Sequence, residues 1–133
     1  MGQQQLLLIV LAVIIAGIAL LYGLLLFQSS AVDANRNAVI ADLHHLGYLA
    51  HSYYKRPTSF GGGNGLTFAG FQIAPPSLLA NANGTYSIST PGTAGSVVIQ
   101  GIGIEIGEDG INPIKYQLSA VSTTVIFTLA KLN

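Results

Sequence analysis

Leu6-Leu7-Leu8-Ile9-Val10-Leu11-Ala12-Val13-Ile14-Ile15-Ala16-Gly17-Ile18-Ala19-Leu20-Leu21-Tyr22-Gly23-Leu24-Leu25-Leu26-Phe27 is a run of twenty-two residues without one charged or strongly polar side chain. Seventeen of them are large apolar or aromatic residues, and the rest are Ala12, Ala16, Ala19, Gly17 and Gly23. At about 1.5 Å rise per residue a helix of that length is roughly 33 Å long, enough to cross a hydrocarbon layer of about 30 Å. A helix that is apolar on every side must be surrounded on every side, so its environment is lipid or a sheath of similar helices. The function follows from which of the two it finds.

The rest of the composition narrows the field. Only 8% of the 133 residues are charged, against about a quarter in ordinary soluble chains, and the mean hydropathy is +0.57. Net charge is zero, so no basic footprint points to nucleic acid and no polybasic cluster points to anionic lipid. Nucleic acid is not an expected partner. With no Cys there is no disulfide framework, thiolate nucleophile or Cys-ligated zinc. The opening Met1-Gly2-Gln3-Gln4-Gln5 is polar but carries no Lys or Arg. The apolar run exceeds the roughly 7 to 15 residues of a signal-peptide core, while Ser29-Ser30-Ala31 imitates a cleavage site and keeps a removed signal open. Met1-Gly2 lacks the Ser or Thr that myristoylation wants at the sixth position, which is Leu6.

No Pro interrupts the chain before Pro57. From Val32 the apolar residues recur at Val39, Leu43, Leu46, Ala50 and Tyr53, in steps of seven, four, three, four and three, while Asp33, Arg36, Asn37, His44 and His51 mostly occupy the other face. That spacing predicts an amphipathic helix continuing the first. Gly47 is its weak point, at about 1 kcal/mol against Ala, and Lys55-Arg56 before Pro57 suit a C-terminal end. One helix is therefore expected from about Gln3 to Tyr54.

After Pro57 the character changes to a loop and then to short strands. Gly61-Gly62-Gly63-Asn64-Gly65 lacks the Lys-Ser/Thr pair and the following helix of a phosphate cradle, so a flexible surface or packing loop is expected. Leu66 to Ile73 alternates in part until Pro75-Pro76 interrupts it, and Asn81-Ala82-Asn83-Gly84 has turn chemistry. Strands are expected over Thr85 to Thr90, Val97 to Ile106, Lys115 to Val121 and Thr124 to Leu129, with Gly101 and Gly103 marking close backbone approach and Gly107-Glu108-Asp109-Gly110 a turn. The result is an antiparallel sheet of about four strands.

Residues 57–133 make a head of seventy-seven residues, a size at which one core rarely supplies more than about 3 to 5 kcal/mol without staples. The stripe of Val32, Val39, Leu43, Leu46, Ala50 and Tyr53 is the missing layer. The expected fold is α+β, a long N-terminal helix packed by its second half against a small antiparallel sheet. Its parts are an apolar helix half over 1–31, an amphipathic half over 32–56 and the β-sheet head over 57–133.

A long N-terminal helix, bare in its first half and built into a β-sheet head in its second, resembles the type IV pilin family, with the sequence-specific part of the likeness confined to Gln3 through about Tyr54. The resemblance implies a homo-oligomer, a helical extracellular filament whose core is a bundle of N-terminal helices. It also implies a membrane-inserted precursor in the inner membrane, a prepilin peptidase that removes a short charged leader, and a pilus assembly machinery. A removed basic leader would account for the absence of the Lys or Arg that an anchor carries at its cytoplasmic end. On this likeness the filament core is packed by Leu6, Leu7, Leu8, Val10, Leu11, Ile14, Ile15, Ile18, Leu21 and Leu25. Most bacterial members carry a glutamate as the fifth mature residue; if Met1 is the mature start, Gln5 stands there, and the resemblance implies an amide hydrogen bond in place of an ion pair in N-terminal docking. If Met1-Gly2 is instead a vestigial leader, Gln3 is the mature start and Leu7 takes that place.

Other residues invite sharper readings that the sequence does not favour. His44, His45 and His51 never stand four apart, and Asp42 with His45 is a lone i, i+3 pair, so solvent-facing or capping roles are expected rather than zinc. Glu105, Glu108 and Asp109 offer only three carboxylates in no recognised calcium-loop spacing, so an Asp-Gly hairpin is expected. Tyr22, Phe27, Tyr48, Tyr53 and Tyr54 suit packing better than charge transport, and Asn83-Gly84-Thr85 is a formal glycosylation sequon. No Ser/His/Asp arrangement or paired acid can be assembled, so neither catalysis nor a cofactor is expected. A single-pass surface protein with a binding head and a minor pseudopilin of a secretion system remain as alternatives to the filament subunit.

Overall fold

The computed structural model describes residues 2–122 and 127–132. Among them the elements run α1 (Gly2–Lys55), short 3-10 turns at Thr58–Phe60 and Pro76–Leu78, then β1 (Ala80–Asn81), β2 (Gly84–Thr90), β3 (Ser96–Ile106), β4 (Pro113–Val121) and β5 (Phe127–Lys131). The fold is α+β, one long N-terminal helix and a five-stranded antiparallel sheet in the order β1-β2-β3-β4-β5. Helix α1 runs through Gly17, Gly23 and Gly47 without a break. The chain divides into two compact units inside this helix, Met1–Asp33 and Ala34–Asn133.

In the second unit, α1 lies on one face of the sheet. Val39, Leu43, Leu46 and Ala50 are buried at steps of four, three and four, with Gly47 buried among them. The sheet answers with period two: Val97, Ile99, Gly101 and Gly103 of β3 and Ile114, Tyr116, Leu118 and Ala120 of β4 are buried, while the residues between them are half-buried or exposed. The strand pairs follow the hairpin rule, with Gly101 opposite Tyr116 and Ile99 opposite Leu118. Gly101 and Gly103 mark a close approach: a Cβ on Gly101 would sit 3.0 Å from the Val39 side chain, and one on Gly103 would sit 2.3 Å from Asn35 Oδ1. A side chain at Gly103 would force the helix away from β3.

The glycine loop packs as a cap on the helix end, with Gly63 buried and Gly61, Asn64 and Gly65 at the surface. Gly63, Asn64 and Gly65 donate their backbone N–H groups to the carbonyls of Tyr53, Arg56 and Tyr54, pairing the acceptors that a helix end leaves open. Asn64 and Gly65 take positive φ to reach them, and a Cβ on Gly63 would overlap the Thr67 carbonyl.

Three features add to the sequence reading. Leu66 to Ile73 forms no strand: Phe71 N–H turns back to the Phe68 carbonyl and Gly70 takes a φ of 83°, so Phe68, Phe71 and Ile73 reach the core from a looped backbone. Phe68 is fully buried, stacked on Tyr54 at 4.7 Å, and Phe71 meets Tyr53 edge-on at 5.6 Å. The sheet has five strands instead of four, because the flanks of the Asn81–Gly84 turn pair as Ala80 with Thr85 and Asn81 with Gly84. The last strand is described over Phe127–Lys131; the part of the expected Thr124 to Leu129 strand before residue 127 lies outside the described residues.

Candidate assembly surface

The first unit is helix alone. Every one of the expected packing residues Leu6, Leu7, Leu8, Val10, Leu11, Ile14, Ile15, Ile18, Leu21 and Leu25 is exposed, from 50% at Ile18 to 71% at Leu7. Gln5 is exposed as well, and Asp33 is the first charged side chain in the sequence. These residues lie all around the helix, so no single stripe is set apart for a partner. The helix is long and apolar enough to cross a membrane. Left in water, such a surface would cost on the order of 1.5 to 3 kcal/mol for each large side chain, so the surface chemistry specifies an apolar surrounding. Gly17 and Gly23 have open space where a Cβ would stand, which leaves two shallow points where another backbone can come close.

The second unit holds its helix segment by a polar latch as well as by the apolar stripe. Asn35 is buried where the sequence reading has a gap between Val32 and Val39. Its Nδ2 donates to the Asn83 carbonyl at 2.7 Å, and its Oδ1 accepts from Ile104 N at 3.1 Å and Glu105 N at 3.2 Å. Two turns further on, Asp42 Oδ2 accepts three hydrogen bonds, from Asn81 Nδ2 and Asn83 Nδ2 at 2.8 Å each and from the Tyr86 hydroxyl at 2.6 Å. Burial pulls the Asp42 carboxyl upward, but the donors on Asn83, Tyr86 and Asn81, with the nearby His45, outweigh it and hold the group below its ordinary value. Burial, then the hydrogen bond to Asp42 and its charge, push the Tyr86 phenol upward. The turn itself is set by Asn81, whose Oδ1 accepts from Asn83 N and Gly84 N. Asn83, the sequon asparagine, has its amide nitrogen committed to Asp42.

The remaining predicted site residues separate. Tyr53 is half-buried and donates its hydroxyl to the Ala69 carbonyl at 2.7 Å, and Val32, which falls in the first unit, is half-buried. Arg36, expected opposite the stripe, is half-buried and reaches Glu108 Oε1 at 3.1 Å. Lys131 Nζ meets the same oxygen at 2.8 Å, and the Lys131 ammonium, with Arg36 behind it, holds the Glu108 carboxyl low. Asp109 orders the β3–β4 turn by accepting from Ile111 N and Asn112 N. Among the described residues no group of three His, Cys, Asp or Glu side chains stands where it could hold a metal. His44 Nδ1 sits 2.8 Å from the Ile40 carbonyl on its own helix.

No protein-family model matches the chain, and no curated protein or solved structure matches it either.

Proposed function

We propose that this chain is a structural subunit of an extracellular, type IV pilus-like filament, self-assembling through Leu6 to Phe27. The observation that carries the reading is the exposure of every large side chain in that run, which holds no charged residue. Passing from lipid into a bundle of identical helices exchanges one apolar surrounding for another, so the transfer term nearly cancels and extraction by an energy-driven assembly machine is feasible. The head supports the same reading. Its outer sheet face carries Thr85, Ser87, Gln100, Gln117 and Ser119 together with Val98 and Ile102, and Lys115 is its one charged residue among these strands' outward positions from 85 to 121, so a neighbour packed there would bury little charge. In this reading the activity is association, the precursor sits in the inner membrane, and prepilin peptidase and the assembly machinery are its processing partners. A single-pass membrane protein with a binding head is the second reading, favoured by the same span. Shearing filaments from the cell surface distinguishes them: the proposal expects this chain as their dominant component, and recovery solely as a detergent-soluble monomer supports the anchor instead.

A further inference from the structure

The last turns of α1 and the segment after the Gly70 turn enclose a pocket of about 130 Å³. Leu49, Tyr53 and Arg56 stand at steps of four and three and so share one face of the helix, and Phe71, Gln72 and Ala74 complete the wall from the looped chain. The aromatic part of the wall is fixed. Tyr53 donates its hydroxyl to the Ala69 carbonyl and meets Phe71 edge-on, so the two rings hold one angle. The polar part is uncommitted: neither the Arg56 guanidinium nor the Gln72 side-chain amide hydrogen-bonds or ion-pairs with another described residue.

Charge around this pocket has one sign. Lys55 and Arg56 adjoin in the sequence, while Asp42 lies fourteen positions back on α1, about 21 Å along the axis, and no Asp or Glu occurs between Asp42 and Glu105. Glu105 and Glu108 contact Asn35 and Arg36, about 30 Å away along the helix, and Lys131 stays with them. Both separations exceed the screening length of about 8 Å in physiological salt. The carbonyls at the end of α1, which would repel an anion, are paired by the amides of Gly63, Asn64 and Gly65.

We infer that this pocket binds a small organic acid, a carboxylate carried on a six-membered ring. The guanidinium of Arg56 presents paired N–H donors that match the two oxygens of a carboxylate, and Gln72 adds an amide donor beside it. No second cation lines the pocket among the described residues, which favours a monoanion over a phosphate. Volume limits the body: an apolar cavity of about 150 Å³ takes one benzene, so the space between Leu49, Tyr53 and Phe71 suits a single ring. Aromatic acids and acidic sugars share this chemistry. The pocket lies wholly in the head, so the inference does not depend on the filament reading.

The test titrates the unsubstituted full chain, in a polyoxyethylene detergent, with sodium benzoate and separately with sodium glucuronate, following the backbone amide resonances of Tyr53, Gln72 and Ala74. At least one of the two is expected to give saturable shifts centred on those residues, while benzamide and glucose give none. Benzoate alone would identify aromatic acids as the ligands, and glucuronate alone acidic sugars. Arg56→Gln is expected to weaken binding about tenfold, in keeping with loss of a charge-assisted hydrogen bond. Lys55→Gln, which removes the same charge from outside the lining, should leave binding unchanged. No saturable shift with either carboxylate up to about 50 mM, or an equal response to the uncharged analogues, would overturn the inference on the unsubstituted chain alone. Equal losses in the two variants would overturn it as well, because binding would then follow net charge and not the pocket.

Discussion

Ile18 and Val39 are both β-branched residues on the same helix, yet Ile18 is 50% exposed and Val39 is 0% exposed. Helix propensity does not distinguish them; what differs is whether the chain supplies a covering layer. Around Val39 it does, through glycines on β3 that let the helix approach and through a latch of Asn35 and Asp42 that fixes its register. Around Ile18 the described residues supply none, so the cover has to come from outside the chain. One helix thus carries a finished core in its second stretch and an unfinished one in its first.

The comparison breaks most visibly at Ile14. A carboxylate at the centre of an apolar helix costs about 3 kcal/mol in every copy, so Ile14→Asp should abolish filaments while the head, which lacks this residue, unfolds at an unchanged temperature. Filament yield equal to that of the unsubstituted chain would count heavily against the account. A matched pair sharpens the contrast: Leu43→Ala should destabilise the head by about 3 kcal/mol through lost burial and a cavity, whereas Leu21→Ala should change it by less than about 0.5 kcal/mol. Denaturant unfolding of the detergent-solubilised full chain reads both. Removing the latch comes next, since Asp42→Ala leaves the Asn81, Asn83 and Tyr86 donors without their acceptor, a loss of about 2 kcal/mol in the same assay.

The smallest effect is a pH dependence. Asp42 titrates below its ordinary value of 3.8 in the folded head, so the stability it contributes is fully present above 3.8 and is lost as the pH falls through the depressed folded value. Melting of the unsubstituted head should therefore decline on acidification below 3.8 more steeply than melting of Asp42→Asn. Parallel curves would show that the latch carries no charge-linked stability.

Much of this architecture was legible because it depends on periodicity. The apolar stripe at Val39, Leu43, Leu46 and Ala50, the alternation along β3 and β4, and the close approach at Gly101 and Gly103 all follow from spacing and side-chain volume. The latch did not, because polar residues do not register in an apolar pattern; its trace was the empty turn between Val32 and Val39, where Asn35 lies. The partial alternation of Leu66 to Ile73 did not disclose the turn at Gly70, through which Phe68 and Phe71 reach the core. The capping role of Gly63 to Gly65 was hidden for a related reason: glycines signal freedom locally, and only the open carbonyls of Tyr53, Tyr54 and Arg56 reveal what that freedom serves. For the candidate assembly surface, the sequence supplied the residues, and the structure added that each of them is exposed.

Intact mass and N-terminal sequence of the chain recovered from purified surface filaments test the central claim most directly. The account predicts that these filaments consist mainly of this chain with Leu6 to Phe27 still attached. A dominant species lacking that run, or filaments free of the chain while it stays in the membrane fraction, would contradict it.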